Sequence, residues 1–189
     1  MTRRNFWINQ AFFQASWPAC VIGAGQGLIW PAILVVGSFA LWQLAPARRH
    51  PRDLTTVTSF VLAGLLLDTL WPRLGIVEYA TVVPFEGFAP IWLVMLWLAL
   101  GLTVNHSLAA FRHRWRILAL VATFASPLSY AAAAGFGAVA WVAPVWLVLI
   151  CLGPVWALVV ALLFRQAATG AAGTDLAPKQ PSPQQSGVW

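Results

Sequence analysis

Apolar residues run through this chain in stretches too long and too unbroken for a soluble core. Six such segments stand between short polar interruptions, at about 5–23, 28–45, 54–71, 88–110, 117–134 and 141–164. Each approaches the ~20 helical residues that cross a hydrocarbon core of ~30 Å. A helix satisfies its own backbone polar groups, which lipid cannot do, so apolar segments of this length favour helices. Only 8% of the 189 residues are charged, against roughly a quarter in soluble domains. A surface this apolar calls for the bilayer as its solvent. The expected fold class is therefore all-α: a polytopic, six-transmembrane-helix bundle over residues 1–165. The Gly, Thr, Pro, Gln and Ser of residues 166–189 predict a disordered cytoplasmic tail.

The breaks support this division. Gly23, Gly25 and Gly27 mark a tight turn, and Pro46-Ala-Arg-Arg-His-Pro51 is polar and helix-breaking at both ends. Residues 72–87 form the longest internal connection, Arg112-His-Arg-Trp-Arg116 is a short basic turn, and Gly135-Phe-Gly137 closes the fifth segment. With six crossings, ten of the eleven basic residues fall on one side and only Arg73 on the other. By the positive-inside rule both termini are then cytoplasmic, in a multi-pass protein of a bacterial inner membrane. Asn9, Gln10 and Gln14 interrupt the first segment, and Trp17-Pro18 suits a cleavage site poorly, so no cleaved signal sequence is expected.

Several classes are disfavoured. The net charge of +6 comes from basic clusters beside apolar segments, not from a basic stripe interleaved with aromatics, so no nucleic acid partner is expected. Cys20 and Cys151 stand alone without a CxxC, which argues against a disulfide framework or a zinc ribbon. No phosphate loop, HExxH or GxSxG is present. No metal and no cofactor is expected, and the expected partners are membrane lipids. The sequence leaves a protein partner or a homo-oligomer open.

Polar residues inside apolar segments are costly and tend to face a bundle interior. Asn5, Asn9 and Ser16 share a helical face, with Gln10 and Gln14 beside it. Asn105-His106-Ser107 is expected at the depth of Asn9, so Asn9 and His106 are expected to face each other in an inner polar cluster. Asp68 is the only acid within an expected span, and Gly64 one turn away permits a neighbouring helix to come close. Glu86 lies in the apolar segment Pro84-Phe-Glu-Gly-Phe88. Thr123, Ser126 and Tyr130 share one face of the fifth segment. The expected catalytic set is Asp68, Glu86 and Tyr130, with Asp68 and Glu86 paired at a hydrophobic chamber as general acids and Tyr130 as orienting donor. The expected substrate-binding set is Asn9, Gln14, Asn105, His106, Ser126 and Trp92. The sixth segment, poor in polar residues, is expected to pack against lipid.

Two resemblances add to this. Residues 5–164 resemble a bacterial family of inner-membrane proteins classed as a domain of unknown function. The stretches that carry it are Asn5-Phe-Trp-Ile-Asn9 leading to Trp17-Pro-Ala-Cys20, then Ala89-Pro-Ile-Trp92, Asn105-His-Ser-Leu108 and Pro127-Leu-Ser-Tyr130. That resemblance implies membrane location and overall shape, and no activity. The spacing of Asp68, Gly75 and Tyr79, followed by Pro84-Phe-Glu86, is similar to membrane carotenoid cyclases and hydratases. It implies carboxylates that protonate a polyene. The cyclase pattern carries a second acid after the Glu, where this chain has Gly87, and this chain's stretch from Tyr79 to Pro84 is shorter than the pattern's.

Three function classes follow. The leading one is a membrane enzyme, or an accessory to one, that handles a lipid or isoprenoid through buried carboxylates. The others are a small transporter or flippase, and a non-catalytic scaffold whose polar groups only join helices.

Overall fold

The computed structural model describes residues 2–175, with side chains described to residue 169. Among the described residues are six α-helices and one small hairpin: α1 (Arg3–Gly25), α2 (Trp30–Leu44), α3 (Asp53–Arg73), β1 (Val77–Tyr79), α4 (Ile91–Val104), α5 (Trp115–Gly135), β2 (Val139–Trp141) and α6 (Val145–Asp175). A 3-10 turn, Ala109–Arg114, leads into α5.

Local chemistry sets the helix ends. Thr2 caps α1, its hydroxyl accepting from the Asn5 amide at 3.2 Å. Proline stands in the first turn of α2, where its missing N–H costs nothing. Asp53 opens α3 and Arg73 lies in its last turn, each complementing the helix dipole. Pro90 precedes α4 in extended conformation and holds Ala89 out of the helix.

These ends overturn the expectation of six membrane-spanning helices. Among the described residues, three segments are long and apolar enough to cross: Asp53–Arg73, Ala109–Gly135 and Val145–Thr169. The second apolar segment folds as only 15 residues of helix and the fourth as 14. At ~1.5 Å per residue these reach roughly 21–22 Å, short of the ~30 Å core. Pro90 trims α4 at its start. At its end Asn105 takes over, a side chain that competes with the helical backbone. α1 has 23 residues, but Arg3, Arg4, Asn5, Asn9, Gln10, Gln14 and Ser16 lower its apolar content. The placement of both termini on one side rested on six crossings and falls with them. The chain is an all-α membrane protein with several apolar helices.

Two further expectations change. α6 continues to Asp175, so the expected tail begins as helix; residues 176–189 lie outside the described residues. Nor does α6 serve only lipid. Val148, Leu152, Leu163 and Phe164 are buried, and Trp156 stacks on Trp97 of α4 with ring centroids 4.6 Å apart.

The helices traverse one bundle in alternating directions, which gives it two distinct ends. At one end the start of α1, the end of α2, the start of α3 and the end of α4 meet around Asn9, Gln43, Asp53 and His106. Arg48, Arg49, Arg52 and Arg112 fall here, and it is called the basic end below. At the other, β1 and β2 pair antiparallel, Val77 opposite Trp141 and Tyr79 opposite Val139. Val77 and Tyr79 point into the core and Glu78 outward. This hairpin end is seated closely: the Phe136 carbonyl occupies the place a Cβ on Gly25 would need. Outward-facing apolar residues mark the lipid side. On α5, Ile117, Leu120, Val121, Phe124 and Leu128 are all exposed, at the i, i+3, i+4, i+7 spacing of one helical stripe.

Candidate functional site

The basic end gathers the larger polar network. Asn9, fully buried, donates from Nδ2 to Gln43 Oε1 at 2.7 Å and to the Leu102 carbonyl at 3.1 Å. Ser107 Oγ donates to Asn9 Oδ1 at 2.6 Å. Gln43 Nε2 then reaches the His106 ring, 3.0 Å from Nε2 and 3.3 Å from Nδ1. His106 Nε2 lies 2.8 Å from Asp53 Oδ2, with side-chain exposures of 8% and 0%. Burial of both partners is what makes this contact consequential, since exposed ion pairs contribute little. The Asp53 carboxylate accepts the N–H of His106 Nε2, which leaves Nδ1 beside the Gln43 amide.

Both Asp53 oxygens are engaged, from the end of α4 and from the connection before α3. Besides His106 the carboxylate accepts the His50 backbone N–H at 2.8 Å on Oδ2 and Asn105 Nδ2 at 3.1 Å on Oδ1. Asn105 Nδ2 also donates to Thr56 Oγ1 at 3.2 Å, and its Oδ1 accepts from Arg112 Nη1 at 3.1 Å. His50, in the connection before α3, has its pKa pulled below the ordinary histidine value by burial, against the attraction of Asp53. Its Nδ1 accepts from the Arg52 amide at 3.2 Å, a role for the neutral ring.

Over this network lies a cavity of about 560 Å³. Gln43, His106 and Asn105 form its polar floor, Arg48, Arg49 and His50 one wall, and Thr2 and Asn5 the rim. A volume of this size suits a small ligand or the polar head of a larger one. A histidine held by a buried carboxylate and lining a cavity is a candidate general base. Among the described residues no three His, Cys, Asp or Glu side chains converge as a metal ion would require.

The second cluster centres on Asp68, which is fully buried. Its Oδ2 accepts from Trp97 Nε1 at 2.7 Å and its Oδ1 from the Tyr130 hydroxyl at 2.7 Å. Tyr130 in turn accepts from Tyr79 at 3.4 Å. Burial first, and then the Asp68 charge, push the Tyr79 phenol well above its ordinary range, so it remains a donor. Gly64 explains the close fit: a Cβ there would overlap the Trp97 indole. The cluster joins α3, α4 and α5, with Trp156 of α6 against the rings of Trp97 and Tyr130.

Among the residues expected from sequence, the structure brings Asp68 and Tyr130 together, and Asn9, Asn105 and His106 into one network. It does not pair Asp68 with Glu86. Glu86 is exposed in the loop, and both Asp68 oxygens are engaged by neutral donors. Arg73, the cation nearest in sequence, instead donates to the Gly87 carbonyl at 3.1 Å and lies over the Phe88 ring. Asn9 and His106 do not touch directly; Gln43 stands between them. Gln14 is exposed, Ser126 bonds the Ala122 carbonyl of its own helix at 2.8 Å, and Trp92 is buried at the hairpin end, bonded to the Ala80 carbonyl at 3.2 Å.

Gln43, Asp53, Thr56 and Trp97 were not anticipated. Two left a trace in the sequence: Gln43 is a lone amide near the end of an apolar helix, and Asp53 is an acid directly after His50-Pro-Arg52.

Residues 6–162 match the model of a family described as a protein of unknown function, DUF2878. The chain belongs to DUF2878. The matched span covers both clusters of this DUF2878 protein and stops short only of Thr2 and Asn5 at the cavity rim. No curated protein and no solved structure matches it.

Proposed function

We propose that this membrane protein handles a lipid, binding its polar head in the basic-end cavity and working on it by acid–base chemistry at His106. The observation that carries the reading is the cavity of about 560 Å³ lined by His106, whose ring is held from behind by the buried Asp53. In the proposed step a hydroxyl or water at the lipid head replaces the Gln43 amide at His106 Nδ1 and gives its proton to that nitrogen, while Asp53 holds the ring and favours the cation that forms. Gln43 and Asn105 shape the polar floor, and Asn9 fixes Gln43. The apolar, outward-facing helices favour an integral lipid-facing protein, for which we propose a bacterial inner membrane.

Asp68 and Tyr130 receive a different role. The cyclase-like spacing would make Asp68 an acid beside a hydrophobic substrate, but Trp97, Tyr130 and Trp156 fill the space around it. We propose that Asp68 is the acceptor that joins three helices, with Glu86 outside the site.

The test is a deletion strain complemented by variants, with lipid extracts compared by mass spectrometry. His106→Gln and Asp53→Asn should each lose the wild-type lipid profile at normal expression. Glu78→Gln, on the exposed face of β1, should restore it. Full complementation by both site variants would favour a scaffold in which the network only joins helices.

A further inference from the structure

Arg48 differs from the arginine beside it. Its Nε donates to the Trp42 carbonyl at 2.6 Å, and its guanidinium carbon lies 5.0 Å from the centroid of the Trp42 ring. The backbone beneath is held as well. The amides of Arg48 and Arg49 donate to the Ala45 carbonyl at 2.8 and 2.9 Å, and Gln43 Nε2 lies 3.4 Å from the Arg48 carbonyl. Arg49, in the same turn, is exposed. An arginine that served topology alone would need only to reach water, as Arg49 does. Arg48 is instead clamped through Nε, and among the described residues neither Nη1 nor Nη2 has a hydrogen-bond acceptor.

The cavity wall adds a charge argument. Arg48, Arg49, His50 and His106 line it without a carboxylate among the lining residues. Asp53 lies behind His106 with its oxygens already occupied. Two permanent positive charges thus line a polar cavity at the end of an apolar bundle, with no carboxylate among the lining residues. A guanidinium held by Nε still offers paired N–H groups, which match two oxygens of a tetrahedral anion. Pre-ordering of the side chain and loop lowers the entropic cost of binding.

We infer that the basic-end cavity is a receptor for a phosphate group and that Arg48 is its clamp, with Arg49 adding charge at the mouth. The inference rests on reading this cavity as the lipid-handling site and specifies what the lipid head carries. A phosphate monoester bears up to two negative charges, which suits two arginines. A zwitterionic head or a single carboxylate suits them less well. The same chemistry could be met by a phospholipid head or by free phosphate.

Purified full-length protein in dodecyl maltoside separates these by calorimetric titration with phosphatidic acid, phosphatidylcholine, oleate and inorganic phosphate. Phosphatidic acid should bind about tenfold or more tightly than phosphatidylcholine or oleate. Arg48→Gln should lose about tenfold or more of that affinity. Arg48→Lys, which keeps the charge but not the fork, should fall between. Arg73→Gln removes the same charge at the hairpin end and should bind as wild type. Competition by millimolar inorganic phosphate would assign recognition to the phosphate itself, and its absence to phosphate held on a lipid; both support the clamp. Equal binding of phosphatidylcholine or oleate, or an Arg48→Gln variant as tight as Arg73→Gln, would overturn it. If Arg48→Gln binds as wild type while His106→Gln still fails to complement, the phosphate assignment falls and the lipid-handling reading stands.

Discussion

Gly64→Ala tests how tightly α3 and α4 close around Asp68. The added methyl would overlap Cγ, Cδ1 and Cδ2 of Trp97, so the indole must retreat by more than ~1 Å to regain the ~3.5 Å of an ordinary carbon–carbon contact. It has little room to do so, because Trp156 stacks on it at 4.6 Å and its Nε1 is 2.7 Å from Asp68. Overpacking costs ~1–3 kcal/mol, and a weakened bond to a buried carboxylate adds ~1.5–3 kcal/mol when fully lost. Alanine returns up to ~1 kcal/mol through helix propensity. The expected net loss is about 2–4 kcal/mol. The assay is reversible unfolding in mixed detergent micelles, titrated with dodecyl sulfate and followed by tryptophan fluorescence. Gly37→Ala is the matched control, since a Cβ on that α2 glycine meets nothing within 4 Å. It should be neutral or slightly stabilising. Equal stability of the two variants would refute the close-packing argument, and with it the account of why Trp97 reaches Asp68.

Two further outcomes follow from the same contacts. Tyr130→Phe removes the hydroxyl 2.7 Å from Asp68 Oδ1 and should lower stability by ~1–3 kcal/mol; Tyr79→Phe, whose hydroxyl makes only a 3.4 Å contact with Tyr130, should cost less in the same unfolding assay. For His50, burial lowers the folded pKa, so its contribution to stability is full above the unfolded value of ~6.5 and is lost as pH falls through the lower folded value. The melting temperature of wild type should therefore drop more between pH 7.5 and pH 5, values chosen to bracket ~6.5, than that of His50→Gln; an equal drop would exclude His50 as the source.

The sequence by itself determined the solvent, the helical class and most breakpoints. Runs of apolar residues with 8% charge require lipid, and Pro46 and Pro51 fall in the break between α2 and α3 while Gly135 ends α5, because proline and glycine act on the local backbone. It also marked the polar residues that needed partners: Asn9, Asp68, Asn105, His106 and Tyr130. It could not count the crossings, because hydropathy adds up apolar residues while a span needs helical length. Phe88 and Ala89 are apolar but precede Pro90, so α4 keeps only 14 residues.

Only the tertiary structure decided which polar groups meet. A buried donor takes whichever acceptor helix rotation and separation bring within ~3 Å, and neither quantity is local in sequence. Asp68 meets Trp97 and Tyr130 because Gly64 lets α4 approach, while Glu86 remains in an exposed loop anchored through Arg73 and Gly87. His106 meets Asp53 across 53 residues of chain, a pairing that no periodicity within either helix encodes. Asp53 was obscured because it stands at the very start of α3, where an acid also serves the helix dipole. Only the packing of α3 against α4 sets that carboxylate beside His106, beneath the cavity.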